Sequence, residues 1–475
     1  MFDPSFSSLP LSKTMLHNLK ELGYKSMTAV QAQSLPHVLN NCDVIAQAKT
    51  GSGKTAAFGI GLLHKLNVKK FRVQSLVLCP TRELADQVAK EVRRLARATH
   101  NVKILTICGG VAFGPQYGSL LHGAHIIVGT PGRVLKHLNK GYLSLKDLEI
   151  LVLDEADRML DMGFIDEIDQ VIDHTPKDRQ TLLFSATYPD RILDLSSSIQ
   201  RDAVNISALS YEPANKIAEF FYQITDDDKI DCLINAIAHH NPQNALVFCN
   251  TKIEAQNVAD YLTDSSIDAL ALHGDLEQYQ RVDVLLRFMN RSCSVLVATD
   301  VAARGIDIKD LELVVNYDIP QNQQTYTHRI GRTGRAGKEG VAITLYSENN
   351  ARLMEQYRNE TRIFDESTSL PTIDNFTLTA PNSTLVIEGG KKDKMRPGDI
   401  LGALTGEAGI AGKYVGKIEL YDRQSYVAID RSIIDKAYAH LKKGKIKGRR
   451  FPTWILGKQK SVDATNIWGT RYSED

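Results

Sequence analysis

Ala48-Lys49-Thr50-Gly51-Ser52-Gly53-Lys54-Thr55 follows a short apolar run, Val44-Ile45-Ala46, and precedes an Ala-, Phe- and Leu-rich segment with helical spacing. Strand, glycine-rich loop and helix, in that order, are what a phosphate-binding loop requires. Gly51 and Gly53 let the backbone turn tightly enough for its N–H groups to converge on one anion. The helix N-terminus adds partial positive charge, Lys54 a full one, and Thr55 a hydroxyl suited to Mg²⁺. A glycine-rich turn that merely joins a strand to a helix is the plain alternative. Gly53-Lys54-Thr55 at the helix start favours a nucleotide, with Ala48 standing where the pattern has its first glycine.

Outward from this loop, similar apolar runs recur: Ser75 to Leu78, Lys103 to Ile107, His125 to Val128, Ile150 to Leu153 and Thr181 to Phe184. Short, apolar on both faces and separated by helical patterns, they predict an α/β fold, a parallel sheet covered by helices on each side. Ligands of such sheets gather at the carboxyl ends of the strands, so chemistry is sought just after each run. After Ile150 to Leu153 come Asp154-Glu155-Ala156-Asp157. Two adjacent carboxylates delivered to the edge that carries Lys54 suit phosphoryl transfer, Asp154 holding Mg²⁺ through its water shell and Glu155 orienting and deprotonating a water. Either acid alone would read as a helix cap. Together with a phosphate loop, the pair predicts nucleotide hydrolysis rather than binding alone. A second alternation begins near Phe220 and includes Ala245 to Cys249, Ser294 to Ala298 and Leu313 to Val315, a second parallel sheet without a phosphate loop of its own.

A chain of 475 residues predicts about three domains. Its apolar content of 43% is enough for packed cores and too high for a disordered chain. The net charge of +1 hides an asymmetry: residues 383–460 carry 17 Lys and Arg against 8 Asp and Glu, and the remainder carries 40 against 48. A basic C-terminal module on a mildly acidic body suggests a polyanion-binding appendage, with a solvated helix face as the alternative. The six cysteines show no metal-ligand spacing, and several lie in apolar runs, which favours a reducing compartment. With neither a secretory signal nor a run of about 18 apolar residues, the expectation is a cytoplasmic protein that engages no membrane.

Asp154 to Asp157, the loop, Ser185-Ala186-Thr187 and His328-Arg329-Ile330-Gly331-Arg332-Thr333-Gly334-Arg335 together resemble the DEAD-box family of ATP-dependent RNA helicases, whose loop begins with Ala. The resemblance implies two RecA-like parallel-sheet domains forming a cleft, here 1–208 and 219–365 with 209–218 between them. It makes residues 4–32 an adenine-reading segment through Phe6, Tyr24 and Gln31. Physically, a Gln amide can pair with N6 and N7 of adenine, and an aromatic ring can stack on the base. Thr28-x-x-Gln31 is also a capping box, and the two roles can coexist. The family's prolines are absent at Met27 and Ala29. Arg82, Gly110, Thr130 and Arg133 are implied as RNA-backbone contacts of the first domain, although Thr130-Pro131 is equally a good helix start. In the second domain Asn250, Thr251, Arg281 and Thr299 are implied at the RNA, Gly305 and Asp307 at the nucleotide, and Arg332 and Arg335 as fingers on the γ-phosphate. Such a finger is worth about 10³ to 10⁵ in rate, so hydrolysis would await domain closure, and RNA bridging both domains would promote it.

Residues 366–383, polar with two prolines, read as a linker. Beyond it a β-α-β-β-α-β order within 384–456 predicts a small α+β RNA-recognition-type module. The aromatic-rich strand signature of such modules is missing, so contacts from Lys445, Lys447, Arg449 and Arg450 are expected instead of base stacking on the sheet. Met395 to Gly406 and Gly444 to Arg449 resemble the tail of one bacterial subfamily, DbpA. This implies a large-subunit ribosomal RNA hairpin as partner and a role in assembly of the large ribosomal subunit. A monomer is expected, and the tail 457–475 has no assigned role. An ATP-gated RNA clamp that does not unwind is the competing reading. A DNA helicase, the third, disagrees with the C-terminal module.

Overall fold

The computed structural model describes residues 4–48, 51–208, 217–225, 228–303, 311–334, 339–358, 362–366, 369–373 and 375–457. Lys49, Thr50, Gly305, Asp307, Arg335, most of 209–218 and the tail beyond Gly457 lie outside them. The chain divides into two compact units.

The first unit is built on seven parallel strands: β1 (Val44–Gln47), β2 (Ser75–Leu78), β3 (Ile104–Ile107), β4 (Ile126–Gly129), β5 (Ile150–Asp154), β6 (Gln180–Ser185) and β7 (Val204–Ser207). They lie in the order β3-β4-β2-β5-β6-β1-β7. The side-chain period of two divides each strand between two cores. Val44, Ala46, Val152 and Phe184 pack with Leu35, Phe58, Val88 and Val92 on one face. Ile45, Leu151, Leu153 and Leu183 pack with Val134, Met159, Ile168 and Leu195 on the other. This two-sided burial is why the strands read as continuous apolar runs.

The second unit repeats the plan with β8 (Ile217–Gln223), β9 (Ala245–Cys249), β10 (Ala269–Leu272), β11 (Val295–Thr299), β12 (Leu313–Asn316), β13 (Gly340–Tyr346) and β14 (Ile363–Glu366), ordered β10-β11-β9-β12-β13-β8-β14. To it is joined an antiparallel sheet of β15 (Asn382–Ile387), β16 (Val415–Leu420), β17 (Ser425–Asp430) and β18 (Thr453–Ile455), ordered β16-β17-β15-β18. Leu385, Ile387, Val427 and Ile429 face the module's helices through Ile400, Leu404, Ala437 and Leu441.

The opposite face of this small sheet is closed. Val386 and Tyr426 pack on Leu286 of the helix Gln278–Met289, with Val282, Tyr421, Trp454 and Leu456 around them. Ser292 and Thr384 share a hydrogen bond at 2.8 Å, and Asn382 donates to the Asn290 carbonyl at 3.0 Å. Asp268 pairs with Arg431 at 2.6 Å and accepts from the Ala380 N–H at 2.8 Å. The expected linker is therefore not a free tether along its described part. Leu370 and Leu378 enter the second unit's core, and Leu378 bridges to Ile267. No base can stack on a strand face already covered by the helix Gln278–Met289.

Candidate functional site

In the first unit β6 lies between β5 and β1, so their carboxyl ends meet on one edge. Lys54 begins the helix Lys54–Lys65, is 6% exposed, and donates from Nζ to the Ala48 carbonyl at 3.0 Å. Gly53 has φ +96°, and a Cβ there would lie 2.4 Å from Gln31 Nε2. Both the left-handed backbone and this close approach demand glycine. Gln31 donates to the Gly53 carbonyl at 3.1 Å and accepts from the Thr28 N–H at 3.0 Å, so one amide serves the capping box and the loop together. Phe6 is buried and meets Tyr24 edge to face at 6.1 Å. The Tyr24 hydroxyl donates to Glu91 and Arg94 lies over its ring, which fastens the segment expected to read adenine to the helix Arg82–Leu95.

Asp154 ends β5 and is 3% exposed. Burial pushes its carboxyl up to about 7, with the nearby Lys54 charge opposing the shift. Its Oδ1 is buried without a hydrogen-bond partner. An orphaned carboxylate oxygen beside a lysine and a phosphate loop fits a hydrated divalent cation, with half-buried Thr55 as the second protein oxygen. Among the described residues no cluster of His, Cys, Asp and Glu could hold a metal by itself. A cation here would thus depend on phosphate oxygens and water for the rest of its ligands.

Glu155 adopts φ +53°, a strained conformation for a non-glycine residue costing about 1–3 kcal/mol. It stops the strand's alternation and lets the helix Ala156–Asp161 begin at once. Its Oε2 pairs with Arg158 Nη1 at 2.8 Å, both side chains being buried. Asp157 Oδ2 accepts from the Thr187 N–H at 3.0 Å and from its hydroxyl at 2.8 Å, so Ser185-Ala186-Thr187 is tied to the acidic cluster. The sequence reading did not assign Arg158. Its spacing of three from Glu155 at a helix start was the available signal.

Arg82, Gly110 and Arg133 follow β2, β3 and β4, three neighbours of the sheet. Gly110 has φ +69°, and the Arg82 guanidinium occupies the space a Cβ would need. Thr130 caps the helix Pro131–Asn139 without a side-chain cap hydrogen bond, and Arg133 Nη2 donates to the Val111 carbonyl at 2.9 Å.

In the second unit, Arg329 of the octapeptide His328 to Arg335 turns inward and is 1% exposed. It grips Asp300 through Nε and Nη2 at 2.8 and 2.6 Å, and its other donors reach the Asp318 carbonyl, Asn316 and Asn250. Asn250, expected at the RNA, is exposed; its amide oxygen accepts from Arg329 at 2.9 Å and its NH2 group donates to the Ile319 carbonyl at 3.3 Å. Thr251 caps the helix Lys252–Asp264 by accepting from the Glu254 N–H at 3.1 Å. Arg281 reaches the Ala302 carbonyl at 3.5 Å, Thr299 ends β11, and Arg332 is buried. In the C-terminal module Lys445, Lys447, Arg449 and Arg450 are exposed, and Lys447 also reaches the Lys394 carbonyl at 3.1 Å and Asp399 at 3.6 Å. No helix among the described residues is long and apolar enough to cross a membrane.

Comparison with known proteins agrees with this geometry. The DEAD/DEAH box helicase model matches residues 28–195, the helicase conserved C-terminal domain 228–337, and the DbpA RNA binding domain 384–453. The chain is 52% identical over 447 residues to the ATP-dependent RNA helicase DbpA of Escherichia coli K12, covering 94% of this chain and 98% of that one. It is 42% identical over 372 residues to the DEAD-box ATP-dependent RNA helicase CshA of Geobacillus kaustophilus, covering 78% of this chain and 79% of that one. The solved structure of S. cerevisiae Dbp5 bound to RNA and ADP BeF3 resembles it with a TM-score of 0.68 at 30% identity, over 77% of this chain and 96% of that chain. A phosphate loop beside paired carboxylates, a second parallel sheet and a basic antiparallel module place the chain in the DEAD-box family of ATP-dependent RNA helicases, with an RNA-binding domain of the DbpA type.

Proposed function

We propose that this helicase holds a hairpin of large-subunit ribosomal RNA through its C-terminal module and locally separates short duplexes during assembly of the large ribosomal subunit. The observation that carries the reading is the basic module itself. Its fold and its match to the DbpA RNA binding domain coincide with exposed Lys445, Arg449 and Arg450 on a loop anchored by buried Ile446. If these three residues are changed to Ala, preference for ribosomal RNA over unrelated RNA as an ATPase activator falls about tenfold or more, and the salt slope of binding drops by about one for each lost phosphate contact. Undiminished preference would refute the assignment.

In this reading the loop from Ala48 to Thr55, including Lys49, Thr50 and Ser52, cradles the phosphates, and Lys54 exchanges the Ala48 carbonyl for a phosphate oxygen. Phe6, Tyr24 and Gln31 frame the adenine, with Gly305 and Asp307 at the ribose. Mg²⁺, when bound with ATP, would be held by Thr55 and Asp154 and would neutralise phosphate charge. Glu155 accepts the proton of the attacking water. Arg332 and Arg335 complete the charge stabilisation when RNA contacts from Arg82, Gly110, Thr130 and Arg133 and from Thr251, Arg281 and Thr299 bring the domains together. The protein works as a monomer in the cytoplasm, and six free thiols, five of them buried, support the reducing compartment. The competing clamp would consume ATP and retain RNA without releasing a labelled strand in a displacement assay.

The raised Asp154 pKa sets a pH dependence. The protonated carboxyl is favoured in the folded chain, so its stabilising contribution is complete below the ordinary carboxylate range and is lost as pH rises through about 7. Binding of Mg²⁺ and ATP needs the ionised form. Affinity for Mg²⁺ and ATP is therefore expected to tighten between about pH 6 and about pH 8, with proton release on binding. Calorimetry in two buffers of different ionisation enthalpy measures this, and equal heats in both would contradict it.

A further inference from the structure

One surface of the first unit, sharing Arg133 with the motifs described above and extending past them, combines packed rings with cations that no described carboxylate pairs with. Phe113 lies on His137 with ring centroids 3.9 Å apart and planes 8° apart. Tyr117 and Tyr142 pack tilted, with ring centroids 4.1 Å and planes 39° apart, and Tyr142 approaches Phe113 at 5.8 Å. Lys140 Nζ and the Arg133 guanidinium sit 4.7 and 5.4 Å from the Phe113 ring centre. Among the described residues no carboxylate pairs with Arg133, Lys136 or Lys140. The floor of the patch is rigid. His137 is fully buried and shares a hydrogen bond with Gln116 at 3.0 Å, and Gln116 donates to the Cys108 carbonyl at 2.8 Å. Burial, reinforced by Arg133 and Lys140, pushes His137 down to about 4, so its ring stays neutral and leaves the two cations as the local charge. The rim is open, with Tyr142 39% and Val111 43% exposed.

Solvated cations alone would need no aromatic platform, and a core edge would need no cations. Rings and positive charge in one exposed patch match single-stranded nucleic acid, whose bases stack while its phosphates seek lysine and arginine. Arg133 links the patch to the motif edge through the Val111 carbonyl. We propose that Tyr142, with Phe113, Arg133 and Lys140, forms a base-stacking subsite for single-stranded RNA that extends the path beyond Gly110 and Thr130. The proposal rests on the reading that this edge of the first unit carries RNA.

The test uses the full chain with ADP and beryllium fluoride and a series of single-stranded oligoribonucleotides lengthened one nucleotide at a time. Affinity of the unaltered protein should step up at the length that reaches Tyr142, by about tenfold for one stacked base. The step should vanish in Tyr142→Ala, survive in Tyr142→Phe, and disappear when the added nucleotide is abasic. A step that persists in Tyr142→Ala with an unchanged melting temperature overturns the subsite, as does an abasic nucleotide that binds as well as a normal one. Absence of any RNA binding by the unaltered protein, at every length, would instead overturn the RNA reading on which the subsite rests.

Discussion

Glu155→Gln lowers RNA-stimulated ATP turnover by about 10² to 10⁴, the usual contribution of a positioned general base, while ATP and RNA binding persist. The substitution is nearly isosteric, and the amide oxygen can still accept from Arg158, 2.8 Å away in the ion pair. What disappears is the capacity to take a proton. A strained backbone is retained at this acidic residue, φ +53° at the junction of β5 and its helix. That is the kind of conformation that persists when position matters more than local stability. The measurement is single-turnover hydrolysis with saturating RNA, alongside the affinity of a fluorescent ATP analogue. Turnover within a few-fold of the unaltered protein would remove Glu155 from the catalytic role.

Arg332→Ala and Arg329→Met fail in different ways although the two arginines are three residues apart. The finger assignment gives Arg332→Ala a loss of about 10³ to 10⁵ in kcat, with the KM for ATP little changed, because the guanidinium acts on transition-state charge. Arg329→Met strips a buried guanidinium from Asp300, Asn316 and Asn250 and leaves them without their donor. Breaking a buried pair in this way costs about 3–5 kcal/mol, read as a lower urea midpoint. Hydrolysis by Arg332→Ala within tenfold of the unaltered protein, or an unshifted midpoint for Arg329→Met, would show that the roles are misassigned.

The two arginines also mark what the sequence could and could not reveal. Strands buried on both faces announce themselves, since Ile150 to Leu153 leave no room for polar residues, and the loop and acidic pair follow from their places at strand ends. Side-chain direction is another matter. Nothing in His328 to Arg335 announces that Arg329 closes a buried network, because its partners Asp300 and Asn250 lie far away in sequence. Tyr24 shows the same gap: its hydroxyl is committed to Glu91, and no local pattern joins them. Edge strands such as Val204–Ser207, half buried and without an apolar run, escape periodicity altogether. The segment 366–383 reads as a linker because Leu370, Ile373, Phe376 and Leu378 are single apolar residues scattered among polar ones, yet Leu370 and Leu378 are buried. Isolated apolar residues carry no period from which burial can be inferred.

The seam between the antiparallel sheet and the helix Gln278–Met289 decides how an anchored RNA is delivered. On a free coil of 18 residues the module would wander with a root-mean-square reach of about 20–25 Å. RNA held by it would then meet the second domain at a local concentration in the roughly millimolar range, in any orientation. Fixing Val386 and Tyr426 on Leu286 gives up that reach and makes the anchor directional. On the function proposed above, a strand leaving the module would reach the second sheet at one distance and one angle, so the spacing between anchor and duplex would act as a ruler that favours duplexes at one offset.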